Sequence, residues 1–279
     1  MLFVFLIVSL FLLFAAVHDW KTTFVSDWLV YTLGAFLVSY ASFQALTQHS
    51  WEPLHVAGLG LFAFGVLAFV LYACKLFAAG DAWLLALLGM ALAENTVALQ
   101  THGMLLFVLI ISIGGLYTLS MTFWFAYRSR QRWWSMVRTT CTRLRLYWWS
   151  MIIIGFISSL ILSDGVLWAF LLSVLLLGGL LYAHAHAVDQ VCMVVRRKPE
   201  HLLIGDWLVA DVHVAHTLIR ATHQGLTAQE IRLLRKAKKS VVIRQGIPFV
   251  PVFFLSYLLM VCAVFFEWNL AVIEMLLSW

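Results

Sequence analysis

Charge, proline and paired cysteine are all scarce in this chain. Only 11% of its 279 residues are charged, against 63% hydrophobic residues and a mean hydropathy of +0.96, and that is the composition of a polytopic membrane protein. Four prolines in total leave no proline-rich linker, and no internal repeat or low-complexity tract is evident. Cys74, Cys141, Cys192 and Cys262 form no CxxC pair, so neither a disulfide framework nor a zinc site is indicated. No positive n-region precedes "MLFVFLIVSLFLLFAAV", so this run reads as an uncleaved helix rather than a secretory signal. No serine is flanked by glycines in the manner of a hydrolase elbow, and no phosphate-binding glycine loop is found.

What is abundant is apolar runs of spanning length, about 20 residues each. They cover residues 1–17, 28–46, 54–78, 82–98, 104–126, 148–163, 166–183 and 247–267. The expected fold is therefore all-α: a polytopic transmembrane bundle of about eight spans with a small cytoplasmic segment. With the N-terminus outside, all 18 Lys and Arg fall on the inner side, including Lys21, Lys75, the arginines from Arg128 to Arg145, and the stretch from Arg196 to Arg244. The outer loops then hold Glu52, Glu94, Asp164, Glu267 and Glu274 and no base. Residues 148–183 read as two short spans or one re-entrant hairpin, and the loops keep their sides either way.

This divides the chain into an N-terminal membrane bundle (1–126), a basic cytoplasmic loop (127–147), a transmembrane hairpin (148–183), a cytoplasmic segment (184–245) and a C-terminal helix (246–279). Trp133, Trp134, Trp148 and Trp149 interleave with the arginines of the basic loop, a belt that anchors to anionic headgroups of the bilayer rather than to nucleic acid. In the segment 184–245, "LTAQEIRLLRKAKKS" announces a helix with Thr227 as N-cap, Glu230 as capping-box partner and Leu226 stapled to Ile231.

The chemistry lies in the acids. Asp81 in "FAAGDAWLL" follows a glycine at the inner mouth of the fourth span, where it caps the helix or serves a function. Asp19 in "FAAVHDWKTTFVSDWLVY" ends the first span at the same depth. Two acids facing each other share one proton, the arrangement in which an ionised carboxylate activates water and its protonated partner polarises a carbonyl. "GIPFVPVFFLSY" opens the last span with Pro248 and Pro251, which removes backbone donors and loosens the first turn. Gly80 beside Asp81 allows an extended chain to come close.

Taken in order, "HDWKTTFVSDWL", "AAGDAWLL", "GDWLVADV" and "GIPFVPVFF" resemble the archaeal type IV prepilin and preflagellin peptidases, relatives of the GxGD intramembrane aspartic proteases. The resemblance covers most of the chain, including "GLTAQEIRLLRKAKKSVVIRQGIPFVP". It implies that Asp19 and Asp81 are the catalytic pair, with Ala78, Gly80, Gly246, Pro248 and Pro251 as motif support. It implies a multi-pass membrane protein that cleaves leader peptides of type IV pilin-like or archaellin precursors at the cytoplasmic face, without metal or cofactor. In this chain Ala78 stands where the family motif opens with glycine, and a methyl group there narrows the approach. The spans at 148–183 are extra relative to the shortest members.

Other readings compete. Asp27 is an alternative to Asp19, although "VSDWL" reads better as the N-cap of the second span. Asp206 and Asp211 offer acids to a basic leader or belong to a plain interfacial segment. His184 with His186, and His213 with His216, have metal-like spacing but no convincing third ligand. His18 stands beside Asp19, where it orients the acid or simply sits at the interface. From another functional class, a non-catalytic polytopic protein, such as a proton-coupled transporter or a pilus assembly factor, uses the acids as a proton relay or as helix caps.

Overall fold

A computed structural model describes residues 2–74, 76–92, 95–161, 165–214, 217–222 and 225–277. Lys75, Glu94, Asp164 and His216 lie outside the described residues. The chain forms two compact units, residues 1–118 with 246–279 and residues 119–245.

The first unit is built from α1 (Leu2–Thr22), α2 (Asp27–Thr47), α3 (Glu52–Ala73), α4 (Ala79–Ala91), most of α5 (Thr96–Arg128) and α10 (Val250–Leu277). Among the described residues, α1, α2, α3 and α5 are long and apolar enough to cross a membrane. The remaining helix of the N-terminal bundle, α4, spans thirteen residues, rising about 20 Å where a bilayer core is about 30 Å thick. Its burial explains its length. Every residue from Leu84 to Met90 is buried, and a helix that is apolar on all sides belongs inside a bundle. It packs on α3, α2 and α1.

Backbone contact sets the α3–α4 interface. A methyl group at Gly60 would lie 2.2 Å from the Gly89 carbonyl oxygen, and one at Gly89 would lie 2.3 Å from that of Gly60. Only paired glycines let the two helices approach this closely. On the other side α10 packs against α1, with Tyr257 edge-on to Phe5 at 6.2 Å.

The second unit contains α6 (Arg130–Arg143), α7 (Arg145–Ile161) and α8 (Gly165–Ala187), with α8 packed against both. Arg138 lies over the Trp134 ring at 5.3 Å, a cation–π contact in the basic belt. A single π-turn (Val188–Cys192) follows α8.

Here the fold departs from the all-α expectation. Residues 194–245 carry β1 (Val194–Arg197), β2 (Trp207–Leu208), β3 (Val212–Val214), β4 (Thr217–Ile219), α9 (Ala228–Lys236) and β5 (Val241–Arg244). β5 pairs antiparallel with β1 and β2 on its two edges, and β3–β4 is a separate antiparallel hairpin. Strands of two to four residues show too few alternations to announce themselves in a sequence. Leu202, Leu208, Ile219, Leu226, Ile231, Leu234 and Ile243 nonetheless form a core of their own.

α9 begins as its sequence announces: Thr227 accepts the Glu230 N–H and Glu230 accepts the Thr227 N–H, a complete capping box. Leu226 and Ile231 are both buried beside it. Thr227→Ala is expected to cost about 1 kcal/mol, so α9 amides should exchange hydrogen roughly fivefold faster. Unchanged exchange would mean that packing alone holds this helix.

Candidate active site

Asp19 ends α1 in a fully buried position, 3% exposed. Its carboxylate accepts the Val250 backbone N–H at 3.0 Å, and Phe249 also donates through its backbone. Val250 is the first residue of α10, where N–H groups have no partner inside the helix. An acid from the other end of the chain therefore caps this helix.

The prolines find their place in the same turn. Pro251 lies in the first turn of α10, whereas Pro248 precedes the helix, so the expected first-turn position of Pro248 is corrected. Pro251 brings no N–H of its own to a turn that needs none. The Val250 donor is taken by Asp19 rather than left open for an extended substrate. Gly246 sits in open space, where an added methyl group meets nothing within 4 Å.

Asp81 is the third residue of α4 and half-buried. It takes the backbone N–H of Ala78, the residue before the helix. The Asp19 charge acts on Asp81, so α1 and α4, which touch, bring the two carboxylates into electrostatic range. Each helix N-terminus presents roughly half a positive charge. The site thus combines two acids with two such ends, those of α4 and α10.

The loops fix the helix ends that carry the acids. Phe77 packs against Phe249 and edge-on to Phe253 at the α10 start, with ring centroids 5.0 and 5.6 Å away. Gly80 abuts the α1–α2 loop, and a methyl group there would stand 2.6 Å from Val25 Cβ. Gly80 is therefore required by packing, whereas the sequence alone suggested room for a substrate. Ala78 and Ala79 are exposed on the rim, and Ala78 has an extended backbone, φ −74°, that any residue adopts.

Several other residues resolve differently. Asp27 is the first residue of α2 and exposed, with Ser26 in the N-cap position, so the expected N-cap role is corrected. His18 Nδ1 bonds the Phe24 carbonyl at 3.0 Å and so holds the α1–α2 turn. Asp206 is buried, accepts the Leu203 N–H at 2.9 Å and pairs with Arg197 at 3.4 Å. Burial pushes its carboxyl above the usual range, against the pull of Leu203 and Arg197. Asp211 accepts the Ala221 N–H at 2.7 Å. Both acids are occupied inside the small sheet region. His186 meets Thr140 at 3.3 Å, and His184 lies between Phe123 and Trp133.

Sequence reasoning missed one residue near the acids. Tyr117 on α5 senses the Asp19 charge, and a tyrosine in an apolar run gives no signal of its own.

Residues 6–119 match the type IV leader peptidase family. The likeness lies within this segment. It contains α1 to α4 with both aspartates, and most of α5. Comparison with curated proteins gave no match, and neither did comparison with solved structures. Likeness to that family over residues 6–119 stands beside four helices that, among the described residues, are long and apolar enough to cross a membrane.

Proposed function

We propose that this protein is a membrane-embedded aspartic endopeptidase that removes leader peptides from type IV pilin-like or archaellin precursors at the cytoplasmic face. The reading rests on the Asp19 charge reaching Asp81 between two touching helices, α1 and α4, within a segment similar to the type IV leader peptidase family. The depth agrees with it. Trp20 and Trp83, one and two residues from Asp19 and Asp81, are each more than half exposed, and exposed tryptophans mark the membrane interface.

The two acids hold one proton between them. The ionised carboxylate takes a proton from water as its oxygen attacks the scissile carbonyl, and the protonated carboxyl stabilises the developing oxyanion. Collapse of the tetrahedral intermediate breaks the C–N bond, with a proton delivered to the leaving amine. Asp19 and Asp81 need no metal for these steps. The exposed small side chains of Ala78 and Ala79 leave room for a precursor backbone beside Asp81.

A second reading draws on the same hydrogen bonds, because Asp19 caps α10 and Asp81 binds the N–H of its own helix's cap residue. A non-catalytic membrane protein needs nothing more of them. Cleavage of a pilin-like precursor in membranes containing the wild-type protein, followed by gel shift, separates the readings: a shortened precursor supports the peptidase, and an intact one favours helix capping.

The same assay bears on Ala78. Its methyl group is exposed and its backbone unstrained, so Ala78→Gly is expected to leave cleavage within about twofold of wild type, with stability lowered by up to about 1 kcal/mol. A tenfold gain in rate would show that the methyl group obstructs the substrate.

A further inference from the structure

We propose that the Tyr117 hydroxyl is a third polar group of this site, a positioning residue that hydrogen-bonds the Asp19 carboxylate when the site is assembled for reaction. This inference rests on the peptidase reading. The Tyr117 oxygen is buried and has no hydrogen-bond partner. A buried hydroxyl left in that state costs about 1–3 kcal/mol, so a partner within reach in the working protein is worth a comparable amount.

Position supplies that partner. Gly114, three residues before Tyr117, lies against the start of α10: a methyl group there would be 2.9 Å from the Phe249 ring and 3.4 Å from Val252. Residues three apart share a helix face, so Tyr117 lies one turn along the surface that α5 presents to the Phe249–Val252 turn. That turn donates Val250 N–H to Asp19. The Asp19 charge also acts on Tyr117.

Tyr257 makes the contrast clear. Its hydroxyl is likewise buried and unpartnered, but the ring packs edge-on against Phe5 of α1. Among the described residues this bundle thus holds two orphaned tyrosine hydroxyls, and Tyr117 is the one that lies a helix turn from the glycine packed on the Phe249–Val252 turn.

A carboxylate with two backbone donors on one side and a tyrosine hydroxyl on the other is fixed in rotation, so one oxygen always faces the water. Loss of the hydroxyl leaves substrate binding untouched and slows the chemical step.

The test compares Tyr117→Phe, Tyr257→Phe and wild type, each full length in lipid nanodiscs, with a pilin-like precursor as substrate. Tyr117→Phe is expected to lower kcat by roughly 10- to 100-fold, the scale of a hydrogen bond to a charged group, with KM within about threefold of wild type. Tyr257→Phe is expected to match wild type. Infrared spectra of protein carrying ¹³C-labelled aspartate give a readout independent of turnover: the carboxyl band that Asp19→Asn removes should move in Tyr117→Phe and stay in place in Tyr257→Phe. A kcat within twofold of wild type together with an unmoved band overturns the inference. If wild type cuts nothing, the peptidase reading fails, and the band alone decides whether the hydrogen bond exists.

Discussion

Asp19→Asn and Asp81→Asn are each expected to lower precursor cleavage on the order of 10³-fold, the scale of a lost general acid or base, while the protein still folds. Asparagine is the informative replacement because of what Asp19 does structurally. Its carboxylate accepts the Val250 N–H, and the asparagine Oδ1 retains that acceptor while the titratable group is gone. Asp19→Ala would confuse two effects, since an uncapped helix start costs about 1 kcal/mol by itself. Asp27→Asn serves as the control: Asp27 is exposed at the start of α2, and its loss should leave cleavage within about twofold. The measurement is gel shift of a pilin-like precursor in membranes with matched expression. Full activity in either Asp19→Asn or Asp81→Asn would remove that residue from the dyad.

The second large effect is on stability. Gly60→Val or Gly89→Val is expected to destabilise the bundle by about 2–4 kcal/mol, the upper range of overpacking penalties. A methyl group at either position meets the carbonyl oxygen of the other glycine at 2.2 or 2.3 Å, and backbone has no rotamer by which to move aside. Helices α3 and α4 would have to separate. Because α4 carries Asp81 in its first turn, activity should fall along with stability. Gly58→Ala, where an added methyl group meets nothing within 4 Å, should be neutral or slightly stabilising, since alanine favours helix over glycine by up to about 1 kcal/mol. Tryptophan fluorescence during thermal unfolding in detergent separates these outcomes. Equal melting temperatures for Gly60→Val and Gly58→Ala would show that the α3–α4 contact is looser than it looks.

Much of the membrane bundle was legible in the sequence because its signals are strong. Long apolar runs gave α1, α2, α3 and α5, and the capping box gave α9 from Thr227 and Glu230. The acids stood out because ionisable groups beside apolar runs are rare. The rest was hidden for physical reasons. β1 to β5 are too short for a period of two to register, and α4 is shorter than its hydrophobic run, because burial among its neighbours frees it from matching a bilayer. Gly80 was read as room for a substrate, since sequence does not say what faces a glycine; the neighbour is Val25. The cap on α10 was illegible because it joins residues 231 positions apart. Tyr117 carried no mark in an apolar run, and its interest comes only from an unpartnered hydroxyl.

That long-range cap also sets an order of events in biosynthesis. Asp19 enters the membrane with α1, whereas its N–H donor is translated only after the whole of residues 119–245. A nascent chain halted anywhere between Asp81 and Val250 holds both aspartates but lacks the turn that fixes one of them. Asp19 is therefore fixed late, by the start of α10. Supplying residues 246–279 as a separate polypeptide to a chain ending at 245 is the natural way to set Asp19 in place at will.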